Sequence, residues 1–490
     1  MPQIDWQIDI NTFDGFVPGF SKNSYPSFGN KGHASDMQNV DITDPNVLTQ
    51  GPGLATLTAG TEVGAITTLI KGMQKISIDG TNAYAVGGNK FYQFTASAVT
   101  NAGSFPHTID KATVTAEDAE DVVYYDGYYF YSYNHSGTAG DVGRFDGTST
   151  FDDDYMSTVP TDAIALQGGV PHQMVVGGDD VLYIANGRYV ASYSTSLATF
   201  VDQALDLPQG EVVTSLTWEH NRLYIASRKP NLVASVAAES SVYYWDTTSS
   251  SWTYQIKVPG KIGAIYARNG IVYLWYQDIS MSGGLKLAYI DGNQIRDLAF
   301  YTGSLPEYYQ ISDFQTHLMW VSSGEIWLWG AIANDLPIKL SQYADGGFST
   351  VGGITNVFGT PIVASTQSTS FNLAKFSGYD VNALWNTVLF DVNDAIHTSY
   401  IDRIIVLTEP ILTGAQLDIT LKSDYGVNTV TTPTSIAYDV TQPNKTRWVI
   451  NRKGAPVETF MLNLSWANGS ATNPVKVRKI IITGRHSANM

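Results

Sequence analysis

The chain has 490 residues and carries 28 Lys and Arg against 45 Asp and Glu, a formal net charge of −17. That balance argues against sequence-specific nucleic-acid binding, which needs cations to displace the counterions of the phosphates. No run reaches the roughly 18 apolar residues of a membrane span, so no membrane insertion is expected, and the absence of cysteine removes disulfides and thiolate metal sites. The length is enough for two or three domains. Few charges (15%) with 29 Tyr, 44 Gly and 11 Trp point to an all-β protein with much surface given to contacts. The start, Met1-Pro2-Gln3-Ile4-Asp5-Trp6, lacks the basic and apolar stretches of a signal peptide.

In chain order, residues 1–60 read as an N-terminal arm and propeller-entry segment. Ser21 to Ala34 is rich in Gly, Ser, Asn and Pro and predicts an extended arm. Ser35 offers an N-cap for one helical turn, but a strand and turn suit Ser35–Ile42 better. A propeller ring has to be closed, and an N-terminal strand that completes the last blade removes an open edge. Asn46–Leu48 and Leu54–Leu57 are the candidates. The triplet Asn39-Val40-Asp41 followed by Gly51-Pro52-Gly53 resembles the entry segment of nozzle and related tail proteins of tailed bacteriophages. Gly51 stands where that family usually has a basic residue. The resemblance marks these six residues as an assembly motif.

Residues 61–365 repeat one unit, a tight polar turn followed by an aromatic-rich apolar strand. The copies are Asp79–Tyr84, Asp126–Tyr131, Gly177–Tyr183, His220–Ile225, Asn269–Tyr273 and Ser323–Trp327. From Tyr84 through Tyr131, Tyr183, Tyr224 and Tyr273 to Trp327 the steps are 47, 52, 41, 49 and 54 residues. That period, with turn-then-strand chemistry, predicts a degenerate β-propeller of about six blades, the count lying between five and seven. Runs such as Leu182–Ala185, Ile271–Tyr276 and Ile326–Trp329 are continuously apolar, as strands buried on both faces should be. The Asn-Gly and Asp-Gly pairs supply the positive φ angles that short hairpins need. Val242–Asp246 with Trp252 resembles the outer hairpin of a kelch blade, but an ordinary hairpin with an aromatic cross-strand pair accounts for it.

Residues 366–490 change pattern. Leu417, Ile419 and Leu421 alternate with polar residues, and Phe460, Leu462, Leu464 and Trp466 alternate with Met461, Asn463 and Ser465. Such alternation predicts a C-terminal β-sandwich whose sheets have one dry and one wet face. Further strands are expected at Arg403–Leu407, Ile436–Val440, Arg447–Ile450 and Val475–Ile482, with the boundary inside Gly346–Ser370. Leu384–Thr387, Arg403–Thr408 and Lys422–Gly426 resemble the sandwich modules attached to phage tail propellers.

Catalytic constellations are not evident. The acidic runs Glu117–Asp121 and Asp152–Asp154 read as solvated loops, because consecutive acids on one strand point to opposite faces and do not flank one bond. The eight histidines (33, 107, 135, 172, 220, 317, 397 and 486) show no metal-ligand spacing. His220 reads as a turn residue. No nucleophile elbow, phosphate loop or dinucleotide fingerprint occurs. The expectation is a structural component of a tailed-phage virion, not an enzyme, with no cofactor or metal. It would be made in the host cytoplasm and assembled with itself and other tail proteins as a homo-oligomeric ring, nozzle- or connector-like, through which DNA passes. An acidic surface facing such a conduit would repel phosphate. The alternative is a propeller module at the tail tip that binds carbohydrate, such as a host surface glycan, or a receptor.

Overall fold

The computed structural model describes residues 4–10, 34–41, 47–59, 66–111, 117–135, 139–158, 166–197, 199–229, 240–278, 284–314, 317–330, 338–342, 348–367, 370–387, 390–392, 397–423, 428–429, 433–467 and 469–488. The calls on His33 and on most of Ser21–Ala34 fall outside them. The chain divides into two compact units, one of residues 56–324 and 347–375, the other of residues 1–55, 325–346 and 376–490. Nearly all regular structure is strand. Among the described residues no helix is long and apolar enough to cross a membrane.

The first unit is a degenerate β-propeller of up-and-down sheets, numbered here in chain order. Sheet one runs from Gly72–Met73 through Ala83–Gly87 and Lys90–Phe94 to Ala98–Val99. Sheet two holds Asp118–Tyr125, Tyr128–His135, Ala139–Phe145 and Phe151–Asp152; sheet three, Met174–Val176, Leu182–Asn186, Tyr189–Ser194 and Thr199–Asp206. Sheet four holds Val212–Glu219, Arg222–Arg228, Ser240–Trp245 and Tyr254–Val258; sheet five, Gly260–Arg268, Ile271–Asp278, Leu285–Asp291 and Gln294–Tyr301. Sheet six contributes Ile311–Phe314 and His317–Ser322 to this unit, and sheet seven Phe348–Thr355, Ile362–Gln367 and Ser370–Phe376. Among the described residues seven inner strands are therefore present.

The turns form for the local reason the sequence offers. His220 and Asn221 have φ of 50° and 56°, Asn269 and Gly270 51° and 81°, the double left-handed geometry of a two-residue hairpin. They close Glu219 onto Arg222 and Arg268 onto Ile271. The strands beyond them are buried on both faces: Leu182–Asn186 is buried throughout. Neighbouring sheets share apolar clusters, as Phe130 and Val142 of sheet two do with Leu182 and Ile184 of sheet three. Trp275 of sheet five meets Trp320 of sheet six at 5.9 Å. The ring closes where the chain enters: the strand ending at Thr56 completes sheet seven, and Leu57 N–H donates to the Leu373 carbonyl at 2.8 Å. Leu57 is buried with Ile362 and Leu373. Of the two candidate closing segments, Leu54–Leu57 is the one used.

The second unit is a sandwich. One sheet has the order Ile4–Ile10, Val477–Ala488, His397–Thr408, Arg447–Pro456. The other runs Ala34–Gln38, Leu384–Thr387, Thr459–Ser465, Gln416–Ser423. Ala34–Gln38 is thus a strand, not a helical turn, and it pairs with Leu384–Thr387. The beginning of the arm is taken up within the chain: Ile4 pairs with His486 and Ile10 with Ile480. Trp6 stacks on Phe460 of the other sheet at 6.1 Å. The strict dry-and-wet alternation fails on the central strand, where Met461 and Asn463 are buried beside Phe460, Leu462 and Leu464. Asn463 is tolerated there because its amide donates to Asn386 Oδ1 at 2.6 Å.

Candidate functional site

The six motif residues come together in the second unit. Val40 pairs with Gln50 and Asp41 with Thr49, and Gly51 N–H donates to the Asn39 carbonyl at 2.6 Å. Asn39 is buried with φ 54°, a conformation Asn adopts at lower cost than most residues. The Gly51 carbonyl accepts from Asp380 N–H at 2.8 Å and the Gly53 carbonyl from Ser377 N–H at 2.9 Å. A Cβ on Gly53 would lie 3.0 Å from the Ser377 carbonyl oxygen, so the residue beside Pro52 has to be small. The motif is one hairpin in which Asn39, Val40 and Gly51 are buried and Asp41, Pro52 and Gly53 half-buried, and the chain leaves it directly for the closing strand of the propeller.

The propeller axis holds the other candidate site, a cavity of about 520 Å³. Its walls come from the inner strands and the turns around them: Met73–Ile76 of sheet one, Asp121–Tyr124 of sheet two, Gln173–Val176 of sheet three, Leu216 and Thr217, Tyr266 and Ala267, and Tyr308 and Tyr309. Inner strands converge on an axis with few side chains able to fill it, so polar groups placed there must be hydrogen-bonded.

Most are, and the partners run from sheet to sheet. Lys71 of sheet one meets Asp118 at 2.6 Å and Glu120 at 2.9 Å on sheet two. Asp121 accepts from Met174 N–H of sheet three at 2.9 Å. Gln173 accepts from Leu216 N–H at 2.6 Å and donates to the Leu216 carbonyl at 3.0 Å on sheet four. Ser215 Oγ accepts from Ile265 N–H at 3.2 Å, and Thr217 Oγ1 from Ala267 N–H at 3.1 Å, on sheet five. Arg268 and Tyr266 of sheet five reach Asp313 of sheet six at 2.9 and 3.3 Å. Gln310 donates to the Val351 carbonyl of sheet seven at 2.9 Å, and Thr355 returns to the Gln74 carbonyl of sheet one at 2.8 Å. Lys75 donates to the carbonyls of Ile311 at 2.8 Å and Ile354 at 2.6 Å. The circuit is complete.

This geometry corrects the reading of Glu117–Asp121 as a solvated loop. Asp118–Tyr125 is the inner strand of sheet two, and Glu117 and Glu120 are buried. Tyr308 donates to Glu120 Oε2 at 3.3 Å and Asn134 to Oε1 at 3.3 Å. Burial pushes the Glu120 carboxyl up against the pull of Lys71, and burial likewise raises Asp121 and Asp313. Lys75 is exposed, and the density of protein around its ammonium lowers its pKa, with Asp121 and Asp313 opposing. Asp152–Asp154 is no solvated loop either: His107 Nε2 lies 3.0 Å from Asp153 Oδ1, and Tyr131 OH donates to the same oxygen.

His220 is a turn residue with φ 50°. His172 is wholly buried and Nδ1 lies 2.9 Å from the Ala185 carbonyl. Burial lowers its pKa to about 4, against the carbonyls of Ala185 and Gln167. Among the described residues no three His, Asp or Glu side chains cluster as a metal site. At the kelch-like stretch Tyr244 lies directly opposite Tyr254, rings 5.5 Å apart, an aromatic cross-strand pair.

No family model and no curated protein matches this chain. Among solved structures it is similar to the computationally designed Ika8 protein (12% identity, 66% of this chain and 100% of that one, TM-score 0.39). It is also similar to Drosophila Semaphorin 1a extracellular domains 1-2 (10%, 66% and 88%, 0.41). A third is the soluble aldose sugar dehydrogenase of Escherichia coli (10%, 66% and 99%, 0.37).

Proposed function

We propose that the chain is a structural component of a tailed-phage virion that assembles as a ring in the tail, near a nozzle or connector position. The observation that carries this reading is the hairpin of Asn39–Asp41 and Thr49–Gly53. Asn39, Val40 and Gly51 are buried, and the backbone of Asn39–Asp41, Gly51 and Gly53 is tied down by hydrogen bonds, which suits a junction leading into a propeller better than a ligand-binding loop. A scaffold role also suits the axis, where Lys71, Asp121 and Arg268 each join one sheet to the next.

The arm supplies a device for assembly. Ile4–Ile10 is an edge strand held by Val477–Ala488, and residues 11–33 lie between it and the next described strand. Exchange of such a strand between copies turns an intrachain pairing into a clasp, and head-to-tail exchange closes into a ring when the rotation fits.

Light scattering of the purified full chain, with negative-stain images of the same fraction, tests this. Five-, six- or twelve-fold rings that are lost on deleting residues 1–10 support it. A species of 53.4 kDa at every concentration counts against it.

A further inference from the structure

The axial cavity is not filled by the circuit around it. Lys75 spends two N–H groups on the Ile311 and Ile354 carbonyls, and an ammonium has three. Asp121 receives one backbone N–H on each oxygen, from Val122 at 2.9 Å and Met174 at 2.9 Å, which leaves acceptor capacity on both. Tyr124 and Tyr309 line the same cavity, and the hydroxyl of neither makes a hydrogen bond with the described residues. Apolar walls from Val122, Val175 and Val176 complete it. At the mouth Ile76 and Ile78 are 72% and 49% exposed. The volume falls within the roughly 300–1,000 Å³ of small-molecule sites.

The charge pattern selects the ligand. An anion drawn to Lys75 would meet Asp121 and Asp313, and a cation drawn to Asp121 would meet Lys75. An apolar guest would strand the ammonium and the carboxylate without water. A neutral polyhydroxy ring avoids all three costs. Its hydroxyls donate to one group and accept from the other, and its C–H faces pack on tyrosine rings and valines.

We propose that the axial cavity of the propeller is a saccharide-binding site, with Lys75 and Asp121 holding adjacent hydroxyls and Tyr124 and Tyr309 walling the ring. The site stands apart from the virion role, since a tail ring is compatible with either presence or absence of it.

Isothermal titration of the full chain with glucose, galactose, mannose, N-acetylglucosamine and lactose tests the proposal, with glycine and leucine as zwitterionic controls. At least one sugar binds with a millimolar or tighter dissociation constant. Lys75→Met weakens it roughly tenfold and Tyr309→Phe about threefold, the losses of a charged and a neutral hydrogen bond. Val176→Trp, which fills the cavity, abolishes it. Lys75→Met also removes bonds between sheets, so Tyr309→Phe and Val176→Trp carry the test if that variant fails to fold. The proposal is overturned if no sugar gives heat at about 20 mM, where a millimolar site is largely filled. It is equally overturned if sugar binding is untouched in Val176→Trp, or if the amino acids bind and the sugars do not.

Discussion

Acidification should weaken the propeller through one residue, His172. The ring is wholly buried between sheets two and three, and Gly140 leaves no room beside it: a Cβ there would sit 2.4 Å from Nε2. Its folded pKa is about 4 against 6.5 when free. The sign follows from proton counting. Between those values the unfolded chain binds a proton that the folded chain refuses, so stability falls as the pH drops from 6.5 to 4 and is unaffected by this group outside that window. At about 1.4 kcal/mol per pH unit the total is about 3 kcal/mol. Asn at this position keeps an N–H for the Ala185 carbonyl and does not titrate. Urea unfolding of the parent and His172→Asn between pH 7.5 and 4, followed by tryptophan fluorescence, cancels the carboxylates common to both. The difference between the two should shrink or invert by about 3 kcal/mol over the window. Parallel pH profiles would refute the reasoning.

Three further outcomes follow from the sheets. Gln173→Leu strands the N–H and carbonyl of buried Leu216 and should cost about 2–6 kcal/mol in denaturant titration, at 1–3 kcal/mol for each stranded group. Leu57→Ala opens a cavity against Ile362 and Leu373 in the closing sheet; about 2–5 kcal/mol should be lost, with protease cleavage near the new edge as the second readout. Gly270→Ala forces a side chain to φ 81° and should lower stability by about 1–2 kcal/mol, whereas the same change at a site of negative φ would be near neutral.

What the sequence made legible was what is local. A hairpin turn is decided by the residues in it, so Asp126-Gly127, His220-Asn221 and Asn269-Gly270 located the first two strands of their sheets. The sixth turn misled by one strand. Ser323-Gly324 follows the second strand of sheet six, His317–Ser322, and not the first, which stretches its spacing to 54 residues. Sheet seven escaped the repeat because residues 356–361, a longer loop, join Thr355 to Ile362. The burial of Glu117–Asp121 was illegible for another reason. Its partners Lys71, Asn134, Met174 and Tyr308 lie up to 188 residues away, and no short-range pattern reports them. The same holds for Asp9, whose carboxylate meets Lys479 at 2.8 Å. The hairpin of Asn39–Gly53 was visible as a motif, but its bonds to Ser377 and Asp380 were not.

The most direct test of the virion role is immunogold electron microscopy of tailed particles purified from the culture that produces this chain, with antibody raised against the full protein. Gold confined to one level of the tail, in several copies per particle, is the predicted result. Unlabelled tails, with the protein recovered only from the particle-free supernatant, would contradict it.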